Sequence, residues 1–404
     1  MDPVGVVIFV VVYVLVSARR IGHLGLDRPS AAMLGAVACV AFGVLDADDA
    51  IAAVDGGTLL LLLGVMGMGA FLVVDGAFDV IEARLEGLVR RPRVLLAAVI
   101  WGAGVMSAFI TNDAVCLLGA PLLVRLIRRF DLPAMPFLLG LATAANTGSA
   151  ATLVGNPQNM LCGELGDLSY LAYLKVAGPV AVVGLAVNHA FLAVAFRRVV
   201  PASITVVPRS EAVPALAPRH AVTVGVIAAT AIVYALGASL AWTAAGGFVV
   251  LMLLHRRATA DLWRQIDWSL LLFFAGLFVV VEGLRESGAT AWWFAGFPLD
   301  EVLSTTGWPG LATVFLLGSN LVSNVPFILV VQDELAGLAR ADHGWTLLAL
   351  TSTFAGNLTL LGSAANVIVA EAGREVGGFG FWQHVRVGFP IAVVTTAIAV
   401  MWTM

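Results

Sequence analysis

Residues 94–124 read VLLAAVIWGAGVMSAFITNDAVCLLGAPLLV: two largely apolar arms flank the polar stretch SAFITND at 107–113. Arg90, Arg91 and Arg93 precede the segment, and Arg125, Arg128 and Arg129 follow it. Basic residues collect on the cytoplasmic side of a membrane, so both ends of the segment belong on that side. Neither arm can cross a hydrocarbon core ~30 Å thick at 1.5 Å per residue. A re-entrant helical hairpin meets both conditions, with 107–113 at its tip near the midplane. Segment 308–331 behaves alike from the opposite face, running between Asp300/Glu301 and Asp333/Glu334 with SNLVSN at 319–324 as its tip.

The two hairpins are related by more than analogy. At an offset of 212 residues Asp55, Gly64, Gly76, Ser107 and Asn112 fall on Asp267, Gly276, Gly288, Ser319 and Asn324. Five residues are then lost from the second copy, and at an offset of 207 Thr152, Gly155 and Asn159 fall on Thr359, Gly362 and Asn366. A duplicated apolar chain with matched polar clusters at membrane depth is the build of many secondary transporters, with the site between the halves.

Composition agrees with a membrane protein. The 404 residues are 60% hydrophobic and 12% charged, with a mean hydropathy of +0.98; a soluble chain carries roughly 25% charged residues. Runs such as 4–18, 176–196, 221–240 and 387–403 approach or reach the ~17–25 residues of a spanning helix, and lipid admits helices because each segment must satisfy its own backbone. The N-terminus lacks a basic n-region and a cleavage site and reads as a retained helix. Cys39, Cys116 and Cys162 lie in apolar segments without disulfide or metal spacing, which reads as buried free thiols. The net charge of −4 points to no partner, and no basic, aromatic-rich tract suits nucleic acid. Neither a His-Glu metal motif nor a facing carboxylate pair is present, which weighs against a membrane-embedded enzyme, and there is no ATP-binding loop.

Nineteen of the 22 Lys and Arg fall in six clusters, around 19–28, 84–93, 125–129, 197–219, 256–264 and 374–386. Their alternation with acidic loops such as Asp46, Asp48 and Asp49 predicts an N-terminus outside, in a prokaryotic inner membrane. The expected map has an N-terminal helix and loop at 1–29, a first repeat over 30–196, a cytoplasmic linker and connecting helix at 197–241, and a second repeat over 242–404. The fold class is an all-α polytopic membrane protein with two inverted-topology repeats, about 10–11 membrane helices plus two hairpins. Each hairpin precedes an interrupted helix: 134–163 breaks at AANTGSAATLVGNPQN (144–159), and 346–372 breaks at FAGNLTLLGSAAN (354–366). The stretches 169–179 and 381–390 read as matching interfacial segments before the last helix of each half.

Two tips and two breaks place helix ends at one depth, where N–H groups favour anions and free carbonyls favour small cations. Thr111, Asn112, Thr152, Asn156, Asn159, Ser323, Asn324, Asn357, Thr359, Ser363 and Asn366 add neutral oxygens and amide donors, beside Gly155 and Gly362. Small polar residues of this kind can also serve only as glue between helices; recurrence in register with the breaks favours a site. Asp113 is the one carboxylate in mid-segment, where a charge costs at least about 2.5–3.5 kcal/mol. With no Lys or Arg in either tip, it is expected to bind a proton or a cation during the cycle, rather than stay permanently protonated. Its counterpart is Val325. Asp75, Glu282 and Glu371 are expected at the interface, and His189 reads as a packing or hydrogen-bonding residue.

TNDAVCLLGAPL (111–122), GSAATLVGNPQN (148–159), SNVPFILV (323–330) and AGNLTLLGSAANVIVAE (355–371) resemble the ion transporter superfamily. That group includes arsenite-efflux permeases, sodium-coupled citrate and dicarboxylate symporters, and sodium/proton antiporters, and the resemblance is to its arsenite-permease-like and citrate-transporter-like branch. It covers about 30–404. It implies a dimer in which hairpin tips and broken helices carry the substrate and cation sites and move against a scaffold. Carried over, Thr111, Asn112 and Asp113 match the first tip and Ser323 with Asn324 the second; Gly155, Asn156 and Asn159 match one break and Gly362, Ser363 and Asn366 the other. Neither tip carries the Ser-Asn-Thr signature of the dicarboxylate symporters, and Asp113 replaces a neutral residue there, which weighs against a di- or tricarboxylate. The expected function is secondary active transport of a small anion or metalloid oxyacid coupled to H+ or Na+, with Na+ near Asn112, Asp113, Gly155, Asn324 and Gly362 and no further cofactor. The alternative is a Na+/H+ antiporter.

Overall fold

Asp55 and Asp267 start two of the most apolar helices of the chain by accepting the backbone N–H of Thr58 and Leu270, the N-cap arrangement that satisfies a helix's orphan donors. In the computed structural model, which describes residues 2–17, 27–205, 217–256 and 259–404, every helix or strand assigned is a helix. The first run comprises α1 (Pro3–Ser17), α2 (Arg28–Ala41), α3 (Ala47–Ala52), α4 (Gly56–Val74), α5 (Ala77–Leu88), α6 (Pro92–Ser107), α7 (Asn112–Phe130), α8 (Ala134–Ser149), α9 (Pro157–Leu165) and α10 (Tyr170–Ala195). The second comprises α11 (Pro218–Ala235), α12 (Leu240–His255), α13 (Ala260–Trp263), α14 (Trp268–Glu286), α15 (Ala289–Gly296), α16 (Leu299–Val322), α17 (Asn324–Ala336), α18 (Ala341–Ala355), α19 (Ala364–Ala372) and α20 (Phe381–Thr403). Left-handed Gly76 (φ 81°) and Gly288 (φ 73°) turn the chain at the same point in each run, just before α5 and α15.

Five helical stretches of 18 residues or more are apolar enough to cross a membrane, in α3–α4, α10, α11, α14 and α20; four apolar helices are shorter, α1, α2, α6 and α12. Valines such as Val7, Val11 and Val14 cover the outside of α1, and the exposed Trp242, Trp382 and Trp402 sit near helix ends, where amphipathic rings meet headgroups. Between helices in lipid there is little hydrophobic drive, so close approach of backbones does the work. The packing crosses between the runs: α4 lies on α12, α2 on α14, and α10 on α20. A Cβ on Gly64 would come within 2.5 Å of the Ala244 backbone, and one on Gly276 within 2.7 Å of the Ala32 backbone, so glycine is required at both crossings.

Residues 94–124 do not form one rod. α6 ends at Ser107, the chain turns through 108–111, and α7 returns and runs on to Phe130. The second hairpin turns at Ser323, a non-glycine residue at φ 73°, and its first arm begins earlier than 308, at Leu299, with a kink at Gly307. The interrupted helices become α8 and α9, separated at 150–156, and α18 and α19, separated at 356–363 by a turn of 3-10 helix. The stretches expected as separate interfacial segments, 169–179 and 381–390, are instead the first turns of α10 and α20, which absorb Pro179 and Pro390 without ending.

Asp75, expected at the interface, is 1% exposed. Its carboxylate lies 2.9 Å from His255 Nε2 and accepts from Thr223 Oγ1, while Arg219 stands 3.8 Å away and His220 Nε2 meets its main-chain oxygen. The partners come from α11 and α12, and α11 is contiguous with the linker, so an exposed-looking helix end in sequence is covered in space. Glu282 is half-buried against Arg285 and Glu371 is exposed. His189 accepts from Trp101 Nε1. The middle of the 197–220 linker (206–216), Arg19, Arg20 and Arg257 lie outside the described residues.

Candidate functional site

Breaking a helix in the membrane interior strands main-chain carbonyls, and an asparagine in each break recovers them. Asn159 Nδ2 donates to the carbonyls of Ser149 (3.3 Å) and Thr152 (3.0 Å). Asn366 Nδ2 donates to those of Gly356 (2.7 Å) and Thr359 (3.2 Å). These are the same positions at an offset of 207. Asn156 caps α9 by accepting from Asn159 N. The amide nitrogens of Asn159 and Asn366 are therefore occupied in satisfying the carbonyls of the breaks.

Two residues on the unbroken halves tie the breaks together. Asn146, on α8, uses all four valences of its amide. Nδ2 donates to Asn357 Oδ1 (3.0 Å) and Asn366 Oδ1 (2.9 Å), and Oδ1 accepts from Asn112 Nδ2 (2.9 Å) and Ser363 Oγ (3.0 Å). Thr353, its counterpart on α18, accepts from Asn156 Nδ2 and donates to Asn159 Oδ1. Asn357 continues the network to Thr147 Oγ1 and the Thr143 carbonyl. A buried polar network of this size is stable only where its members are satisfied.

The tips dock on the breaks of their own run. Asn112 N donates to Gly155 O, and Thr152 Oγ1 to Ala108 O at 2.6 Å. In the second run Asn324 Nδ2 reaches Gly362 O at 3.5 Å, and Thr359 Oγ1 donates to Asn320 Oδ1. Thr111 caps α7, whereas Ser323 makes no side-chain cap to α17. Among the described residues, four buried oxygens at the tips have no hydrogen-bond partner: Ser107 Oγ, Asn112 Oδ1, Ser319 Oγ and Asn324 Oδ1. They form two sets related by the offset of 212.

Asp113 stands apart from this network, one residue round the helix from Asn112. It lines a cavity of about 90 Å³ with Asp267, Gln265, Gly69 and Ile368. Its carboxylate feels Asp267 and Arg28, and accepts from the backbone N–H of Ala365 at the start of α19. It thus lies at the N-terminal ends of two helices, α7 and α19, where negative charge is favoured. The equivalent space in the other run, between α14 and α17, is about 520 Å³ and is lined by Asp55, Ala53, Glu282, Arg285 and Leu329.

A family model for citrate transporters, CitMHS, matches residues 11–355. The chain belongs to the citrate transporter family. It is an integral membrane transporter, not an enzyme. It is 31% identical to a silicon efflux transporter of rice, Oryza sativa subsp. japonica, over 98% of this chain and 96% of that one. It is 23% identical to a putative transporter, arsB, of Dictyostelium discoideum over 94% and 87%, and 28% identical to a 46 kDa membrane protein of Mycobacterium leprae over 99% and 97%.

In this transporter the sequence-derived residues fall into four groups, of which Thr152 and Gly155 join the first tip to its break. Asn112, Asn357, Ser363 and Asn366 meet at Asn146; Asn156 and Asn159 meet at Thr353; Asn324, Thr359 and Gly362 join the second tip to its break. Thr111 and Ser323 bound the tips, and Asp113 faces its own cavity. Asn146 and Thr353 were not singled out from sequence, nor were Tyr173, whose hydroxyl lies 3.1 Å from Asn159 Nδ2, and His384, whose Nε2 lies 3.4 Å from Asn366 Nδ2. Asn146 and Thr353 are unlike residues at matched positions, so identity matching passes over them; both are polar in apolar surroundings, the signal that would have found them.

Proposed function

We propose that the transporter moves a small, weakly charged oxyacid, of the metalloid type, by secondary active transport coupled to H+ or Na+. The observation that carries this reading is the junction of tips and breaks, built from neutral amides and hydroxyls with no Lys or Arg among the described residues of the network. An uncharged polyhydroxy acid is recognised by such donors and acceptors, whereas a multiply charged carboxylate calls for Arg or Lys. The names of the rice and Dictyostelium relatives point the same way. Asp113 supplies the ionisable group for coupling.

The unpartnered oxygens of Ser107 with Asn112 and of Ser319 with Asn324 suit a hard cation such as Na+, near Asp113, Gly155 and Gly362. They also support a second reading, a Na+/H+ antiporter. The two cavities, unequal in volume yet sharing matched positions such as Asp55 with Asp267 and Ala53 with Gln265, support an elevator-type alternation in which the hairpins and broken helices move against α2, α4, α12 and α14. The superfamily resemblance supports a homodimer, and the basic clusters a plasma-membrane orientation with the N-terminus outside.

Flux in proteoliposomes under imposed proton or sodium gradients tests the function, with arsenous acid, silicic acid, phosphate, sulfate and citrate as solutes. Gradient-driven accumulation of an uncharged acid is expected; sodium-for-proton exchange with no solute dependence would favour the antiporter instead. Orientation is tested by single cysteines at Phe109 and Leu321, both exposed at their tips. The first is expected to label from the cytoplasm and the second from outside, and the reverse pattern would overturn the topology.

A further inference from the structure

The guanidinium of Arg285, near the C-terminal end of α14, meets the second hairpin as a fork. Nε and Nη2 donate to the two carboxylate oxygens of Asp333 on α17, each at 2.9 Å, and Nη1 donates to Glu282 Oε2 at 2.6 Å, one turn back on α14. Two parallel N–H···O bonds fix direction as well as distance, which sets this pair apart from a loose surface contact. Arg285 and Glu282 line the cavity of about 520 Å³ together with Leu329 of α17, so the bridge forms part of its wall.

A second bond reaches the same hairpin at its tip. α1 precedes the first repeat and packs on α2 and α14, with Asp2 N donating to Ser287 O at 2.8 Å. From there Tyr13 donates its hydroxyl to the carbonyl of Leu321, in the last turn of α16, where carbonyls lack helical partners. The turn that follows passes through Ser323 at φ 73° and carries no side-chain cap, so Tyr13 meets from another helix a carbonyl that the turn leaves free. The first half is built otherwise. At the offset of 212, Val73 and Pro121 stand where Arg285 and Asp333 stand, and Gly225 where Tyr13 stands. Its α7 is instead bonded through Arg125 and Arg129 to Glu82 and Glu86 of α5, the helix that leads into the same hairpin.

We propose that Arg285 and Tyr13 are positioning residues of the transport cycle: they latch the second hairpin to α14 and α1 in the arrangement described, and the hairpin leaves both contacts when it moves. α1 and α14 belong with the helices that stay, and α16 and α17 with the parts that travel, so each bond crosses the boundary along which the two slide. The proposal rests on the elevator-type reading. Each contact is weak enough to break in every cycle, since a part-exposed ion pair or one interhelical hydrogen bond shifts an equilibrium by roughly two- to tenfold. A latch present in one half only stabilises one of two arrangements that the repeat would otherwise leave closer in energy.

Spin labels at Glu286→Cys on α14 and Ala336→Cys on α17, both exposed, report the separation of the two helices by pulsed electron spin resonance in proteoliposomes. Cys39, Cys116 and Cys162 are buried and stay unlabelled. Two separations are expected, the one matching this structure being the more populated. Arg285→Gln and Tyr13→Phe are each expected to lower the ratio of that population to the other by about threefold, and together by about tenfold. Arg285→Asp combined with Asp333→Arg re-forms the bridge in reverse and is expected to restore the ratio to within about twofold. Two separations whose ratio neither variant moves overturn the latch and leave the elevator-type reading standing. A fall in the ratio that the charge exchange leaves unrepaired also overturns it, since Arg285 is then structural only. A single separation in every protein sinks the elevator-type reading, and the latch with it. Should Arg285→Gln fail to fold, Asp333→Asn removes the same bridge from its exposed side, and the same ratio decides.

Discussion

Asp113→Asn leaves the protein folded and removes gradient-driven solute accumulation. The amide has nearly the volume of the carboxylate, and the cavity beside Asp267 and Gln265 holds it without a clash. What is lost is the ability to carry a proton or bind a cation between the N-terminal ends of α7 and α19. Neutralising the group relieves the cost of about 2.5–3.5 kcal/mol that a charge carries at that depth, so the variant is no less stable while its coupling is lost. Arg28, which offsets the charge in the wild type, then stands beside a neutral side chain, so downhill exchange of the uncharged solute is retained. The measurement is accumulation in proteoliposomes with and without a gradient, alongside the thermal midpoint. Coupled transport at the wild-type level would remove Asp113 from the mechanism.

Asn146→Ala has the other large effect, on stability and flux together. The substitution removes four hydrogen bonds at once, to Asn357, Asn366, Asn112 and Ser363. Interhelical bonds in membrane proteins are worth about 0.6–1.7 kcal/mol each, so the loss is about 2–7 kcal/mol. It falls where the first tip, α8 and the second break meet. The thermal midpoint should drop by many degrees and solute flux should vanish. Asn146→Thr, which installs the residue found at the matching position 353, keeps one donor and one acceptor and is expected to recover part of both. An alanine variant with wild-type stability would mean that the network contributes nothing to the junction.

The helical class and the interruptions within 107–113, 144–159, 319–324 and 354–366 are legible because each depends on local composition: an apolar run, a polar insertion, a turn. The offset of 212 is legible at Asp55 and Asp267 for a physical reason, since both are helix caps and a cap tolerates few residue types. The partner of each helix is another matter. Copies of one pattern are interchangeable on paper, so nothing in α4 says that it lies on α12. The carbonyls that Asn159 and Asn366 bind are not legible for a related reason, because an asparagine at a break reads the same whatever oxygen it faces. Asn146 with Thr353, and Tyr173 with His384, pair dissimilar residues, the second pair displaced by one turn, and only coordinates bring them into register.

The crossing of α4 onto α12 and of α2 onto α14 has a consequence for biogenesis. As the chain leaves the ribosome, Gly64 and its neighbours enter the bilayer well over a hundred residues before Ala244 exists. The early half must therefore wait in lipid with a bare glycine seam, and a truncated product ending at the linker has nothing to close it. Supplied in trans, the late half carries the missing surfaces, so two separately synthesised pieces are expected to reassemble where either alone is degraded.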